Sequence, residues 1–144
     1  MTLLFYIVAV VGGAASALQS AVNAQLGVAI GPINAATVST TVGLGSLLAL
    51  GVVTSQLDVR AWGSTPPHLL IGGTLGAIFV VSVIYVVPKL GVVSTLMLAI
   101  LGQLAVSALV DQFGLLGNPR IEVSPARLAG IALVAVGFLL ARTH

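Results

Sequence analysis

Residues Leu69 to Gly114 read LLIGGTLGAIFVVSVIYVVPKLGVVSTLMLAILGQLAVSALVDQFG. Two apolar runs, 69–87 and 92–110, contain no formal charge and are joined only by Val87-Pro88-Lys89-Leu90-Gly91. Each run is about 20 residues, and at about 1.5 Å per residue such a helix crosses the roughly 30 Å hydrocarbon core of a bilayer. The stretch therefore predicts two membrane spans in a tight hairpin. Pro88 offers no backbone donor and biases Val87 away from helical geometry, Lys89 is tolerated at headgroup depth, and Gly91 accepts a turn. The bend is expected near the membrane surface.

The rest of the chain has the same character. Of 144 residues, 58% are apolar and 6% charged, against roughly 25% charged in an ordinary soluble domain. A soluble core of this length could not hide so many apolar side chains. Long uncharged runs without strict alternation favour helices over a barrel. The formal net charge of +2 comes from scattered residues without a basic cluster, so nothing points to nucleic acid or to a polybasic lipid contact. The absence of cysteine removes disulfides and thiolate chemistry from consideration.

Three further spans are expected, giving an all-α, polytopic domain of five transmembrane helices over residues 2–22, 33–53, 69–87, 92–110 and 126–141. Ala15-Ser16-Ala17 imitates a signal-cleavage site, but no basic region precedes it and the apolar run exceeds the usual 7–15 residues or so. In the first span Ser16, Gln19, Ser20 and Asn23 recur at three- and four-residue spacing and form one polar stripe. It is read either as helix–helix hydrogen bonding or as a substrate lining. Gly27, Gly31 and Pro32 are expected to punctuate a short connection before the second span. There Asn34, Thr37 and Thr41 share a face, and Gly43, Gly45 and Ser46 suit close helix approach; the threonines are expected to bond back to their own carbonyls.

Asp58, Arg60, Trp62 and Pro66-Pro67 mark the first loop, and His68 at its edge reads as an exposed histidine rather than a ligand. Gly72 and Gly76 make a small-xxx-small pattern, and Tyr85 lies within a turn of Pro88, as a belt residue or a ligand contact. The most suggestive series is Gln103, Ser107 and Asp111, at successive spacings of four. Asp111 sits at the C-terminal end of its helix, where the macrodipole disfavours an anion. It must reach water, opening the Asp111-Gln112-Phe113-Gly114 turn, or find a partner in substrate, proton or arginine. In the fifth span Arg127 and Arg142 are expected to snorkel to opposite interfaces, and Gly130 and Gly137 to share a packing face.

Five crossings place the termini on opposite sides, with Arg60, Arg120 and Arg127 opposed by Lys89 and Arg142. So slight a positive-inside bias does not choose an orientation. Insertion both ways round would let two copies pair antiparallel, generating between chains the inverted symmetry that many transporters carry within one.

Gln19 to Gly27 with its Asn23, Gly72-Gly73-Thr74-Leu75-Gly76, Pro88-Lys89-Leu90-Gly91, Gly102-Gln103-Leu104 and Asp111-Gln112-Phe113-Gly114 followed by Gly130 and Gly137 form an ordered set along the chain. In this set the sequence resembles the YdcZ-like inner-membrane exporters of the drug/metabolite transporter superfamily. The resemblance implies a multi-pass protein of the bacterial inner membrane, and a five-helix half that works as an antiparallel pair: a homodimer, a heterodimer or a fused ten-helix chain. Small multidrug-resistance transporters of that superfamily carry a first-helix glutamate; this chain has no acid there, which argues against proton-for-cation exchange at that position.

The expected function is alternating-access transport, in the direction of export, of a small polar metabolite or organic solute. Gln19, Asn23, Tyr85, Gln103, Ser107 and Asp111 are the expected substrate-binding residues, and the partners are a small-molecule substrate, the lipid bilayer and a second, inverted copy. A dual-topology channel and a non-transporting assembly subunit are the alternatives. No catalytic, metal or cofactor site is expected: no nucleophile stands beside a histidine and base, and no phosphate-cradling loop precedes a lysine.

Overall fold

The computed structural model describes residues 2–141; the readings placed on Arg142 and His144 lie outside them. Among the described residues the chain is helical, with no strand: α1 (Thr2–Ile30), α2 (Pro32–Val53), a short α3 (Val59–Gly63), α4 (Ile71–Phe113) and α5 (Pro125–Ala141). Brief 3-10 turns occupy Pro67–Leu70 and Leu115–Gly117. The stretches Leu3–Ile30, Pro32–Val53 and Pro67–Phe113 are each long and apolar enough to cross a bilayer, and Pro125–Ala141 is a shorter apolar helix. Their large side chains point outward; Leu3, Leu18, Val28 and Leu133 are each at least 70% exposed. In water that surface would be untenable, whereas against acyl chains it costs nothing.

The helices run farther than the sequence pattern indicates. α1 continues past residue 22 through Gln25 and Gly27 to Ile30, and the connection to α2 is the single residue Gly31, with φ 87° and ψ 149°. Pro32 then starts α2, where its missing N–H is not needed. The expected bend over residues 87–91 is likewise narrower. Pro88 lies inside α4, and only Gly91, at φ 76° and ψ 165°, leaves helical geometry, dividing α4 into arms 71–90 and 92–113. Proline weakens a helix by removing one donor, but this positive-φ conformation is open essentially to glycine alone, so the break falls there.

These two breaks belong to a repeat. Gly91 follows Gly31 by 60 residues, and Phe113, ending α4, follows Val53, ending α2, by the same 60. Asn23, Ala24, Gly27 and Ala35 are buried in the first helix–glycine–helix unit, and Val83, Ile84, Val87 and Thr95 are buried at the matching places of the second. Gly12-Gly13 and Gly72-Gly73 also stand in register.

By internal contacts the chain forms two compact units, divided between Lys89 and Leu90. In the first, Ala35, Ala36 and Ile84 form the core, bordered by Leu26, Val80 and Val81. A Cβ on Gly27 would collide with Cγ2 of Ile84, so the absence of a side chain at Gly27 permits this contact. Since lipid is as apolar as isoleucine, what holds such a core is close contact rather than release of water. In the second unit a Cβ on Gly137 would meet Met97 Cε at 3.6 Å, and the buried Thr95 hydroxyl donates to the Gly91 carbonyl at 2.6 Å.

Candidate functional site

Two stripes line a cavity in the second unit. Leu104, Ser107, Ala108 and Asp111 fall at i, i+3, i+4 and i+7 on α4, and Arg127, Gly130, Ile131 and Val134 repeat those spacings on α5. With Val123 they line an open-sided cavity of about 450 Å³, inside the roughly 300–1,000 Å³ of small-molecule sites. Small residues make the space: a Cβ at Gly130 would meet nothing within 4 Å.

The cavity holds one charge of each sign. Arg127 Nη1 donates to Asp111 Oδ2 at 3.0 Å, with the arginine side chain 49% and the aspartate 33% exposed. Each charge stands at the unfavourable end of its own helix, the carboxylate in the last turn of α4 and the guanidinium in the first turn of α5. The macrodipoles oppose both placements by about 0.3–1 kcal/mol each, and the pairing offsets that. Asp111 therefore has the arginine partner that was one of its readings, and Arg127 turns toward the cavity rather than standing alone as a snorkelling cation.

The intervening loop fixes this geometry. Gly114 ends α4 in the left-handed conformation, Ile121 N–H donates to the Asp111 carbonyl at 2.8 Å, and Val123 N–H donates to Gln112 Oε1 at 2.8 Å. Ser124 Oγ accepts from Arg127 N–H at 3.3 Å, capping α5. The pair is single-stranded: Asp111 Oδ1 and the other guanidinium nitrogens have no partner among the described residues.

In the first unit the polar side chains meet two fates. Ser20 is buried and donates to the Ser16 carbonyl at 2.8 Å. Thr37, Thr40, Thr41, Ser46 and Ser82 likewise donate to carbonyls of their own helices, as expected of membrane hydroxyls. Asn23 is only 6% exposed, yet its amide has no hydrogen-bond partner among the described residues, and its polar atoms are not sealed from the surface. The matching position of the repeat is Val83, also buried. The packing there has no need of an amide.

Residues 4–140 match the family described as "Putative inner membrane exporter, YdcZ". The chain belongs to this family. It is a multi-pass inner-membrane protein. No curated protein and no solved structure matches it.

In this YdcZ-family protein the six residues expected to bind substrate fall in both units. Ser107 and Asp111 line the cavity together. Gln103, one turn earlier on α4, is exposed and outside the lining. Gln19, Asn23 and Tyr85 belong to the first unit, with Asn23 buried, Gln19 exposed and Tyr85 49% exposed. The residue that pattern reading undervalued is Arg127. Its signal was available: a cation two positions after Pro125 lies where a helix start is already positive and needs a specific partner. Among the described residues no group of three or more His, Asp or Glu could hold a metal ion.

Proposed function

We propose that the protein exports a small polar metabolite or organic solute by alternating access, through five membrane crossings per chain and in an antiparallel pair with a second copy. Membership of the family described as "Putative inner membrane exporter, YdcZ" supports this reading. The observation that carries the reading further is the cavity between α4 and α5, in which an incompletely satisfied ion pair stands among apolar and small residues. Charges at the ends of membrane helices that are not fully paired are candidates for contact with a solute or ion.

Pairing is supported by faces the chain leaves open. A Cβ at Gly12, Gly13, Gly43, Gly45, Gly72, Gly73, Gly76 or Gly102 would meet nothing within 4 Å. Small residues in membrane helices serve close approach, and a second copy is the available neighbour.

The test uses the cysteine-free background. Thr54→Cys and Thr143→Cys, introduced singly, are each expected to be labelled from both sides of the membrane in cells. Protein reconstituted in liposomes is expected to give solute-induced transient currents without single-channel steps, and Asn23→Ala to reduce them. A uniform orientation without an inverted partner, or unitary channel currents, would refute the antiparallel carrier.

A further inference from the structure

Resting on the transport reading, we infer that the cavity between α4 and α5 selects a zwitterion: a solute bearing a carboxylate and a cationic nitrogen close together, with a short apolar remainder. The argument starts from the pair in its walls. Asp111 and Arg127 touch through one oxygen and one nitrogen only, so each retains hydrogen-bonding capacity toward the same space. An incoming anion competes for Arg127 and leaves Asp111 unpaired at the negative end of α4; an incoming cation leaves Arg127 unpaired at the positive end of α5. A neutral solute replaces neither ionic contact. A solute of both signs inserts between them and exchanges one ionic contact for two, carboxylate on guanidinium and cationic nitrogen on carboxylate.

The remainder of the lining sets the rest of the ligand. Leu104, Ile131 and Val134 present aliphatic surface, and Ser107 is the remaining polar side chain. The open space beside Gly130, bordered by Leu104, Ile131 and Val134, has room for a branched aliphatic group.

The probes are leucine, leucinamide, N-acetyl-leucine and isoamyl alcohol, which share an aliphatic body and differ in charge. Binding to the full-length protein in detergent is read as a ligand-induced shift of Tm, and flux in liposomes is read with labelled compounds. Leucine is expected to bind at least tenfold more tightly than the three analogues. Arg127→Gln should erase the preference for leucine over leucinamide, and Asp111→Asn the preference over N-acetyl-leucine. Helical content and elution volume identify any variant that has failed to fold, and Gly130→Val, which leaves both charges in place, is a second route to the same loss of binding.

Equal binding of all four probes, binding of a singly charged or neutral probe in preference to leucine, or binding of none overturns the zwitterion assignment. Transport itself is judged separately: flux of a singly charged or neutral solute that Gly130→Val abolishes would leave the carrier standing while removing this substrate class. Flat currents across a broad solute set would remove both.

Discussion

Replacing Gly91 by alanine isolates the backbone contribution of the break in α4. Gly91 lies at φ 76° and ψ 165°, and an added Cβ would meet no atom within 4 Å. The cost is therefore torsional, on the order of 1–3 kcal/mol for an L-residue in a conformation that is essentially glycine's. In protein held monomeric in micelles Gly72 is the internal control, since it lies in the same helix and its Cβ would also meet nothing within 4 Å of its own chain. There alanine should stabilise the helix by about 0.5–1 kcal/mol. The two variants should differ by about 1.5–4 kcal/mol, with Gly91→Ala the less stable. Asparagine should not rescue Gly91, because ψ 165° lies outside the left-handed well that asparagine tolerates. Reversible unfolding in mixed micelles, followed by helical circular dichroism and by Trp62 fluorescence, gives the comparison. If Gly91→Ala gains stability as Gly72→Ala does, the backbone at residue 91 is helical and the division of α4 is wrong.

Gly31→Ala should lose about as much as Gly91→Ala in the same unfolding assay, since Gly31 shares its backbone conformation at φ 87° and ψ 149°. Gly27→Ala should cost about 1–3 kcal/mol by overpacking, because the atom it meets is a methyl on the β-branched centre of Ile84 and cannot swing away. Adding Ile84→Ala should make Gly27→Ala nearly neutral in that background, and a double-mutant cycle measures the coupling. Asp111→Asn should change stability by less than about 1 kcal/mol, the pair being one-third to one-half exposed, yet reduce liposome flux severalfold; equal, small effects on both would make the pair merely structural. Gly130→Val should leave Tm within a few degrees, since its side chain enters open space, while abolishing flux.

Much of the helical plan was legible because it depends on one-dimensional quantities. Long runs without charge or strict alternation point to helices in lipid, because a helix satisfies each backbone group within its own segment. Helix ends were less legible. Residues 23–30 carry Asn23, Gln25 and Gly27, which read as a boundary, but packing of Gly27 on Ile84 keeps them in the helix. The repeat was hidden for a related reason: beyond Gly12-Gly13, Ala17 and Gly31, matched by Gly72-Gly73, Ala77 and Gly91, its two copies share little sequence. Lipid-facing positions accept any apolar side chain, and of these identities only the Gly31 and Gly91 pair is demanded by a positive-φ backbone. The site was half legible. Asp111 announced itself as an acid at the wrong helix end, while the spacing of 16 residues to Arg127 carries no periodic signal.

By itself the sequence determined the solvent this protein lives in, its helical class and the family to which it belongs, since these follow from composition, run length and ordered motifs. Only the tertiary structure decided that Asp111 meets Arg127 in the wall of a cavity and that Asn23 keeps an unspent amide in a packed position. The physical reason is that charge and hydropathy add along a chain, whereas pairing and empty volume exist only between segments. Loop geometry, here the Ile121 and Val123 bonds to Asp111 and Gln112, brings those segments together.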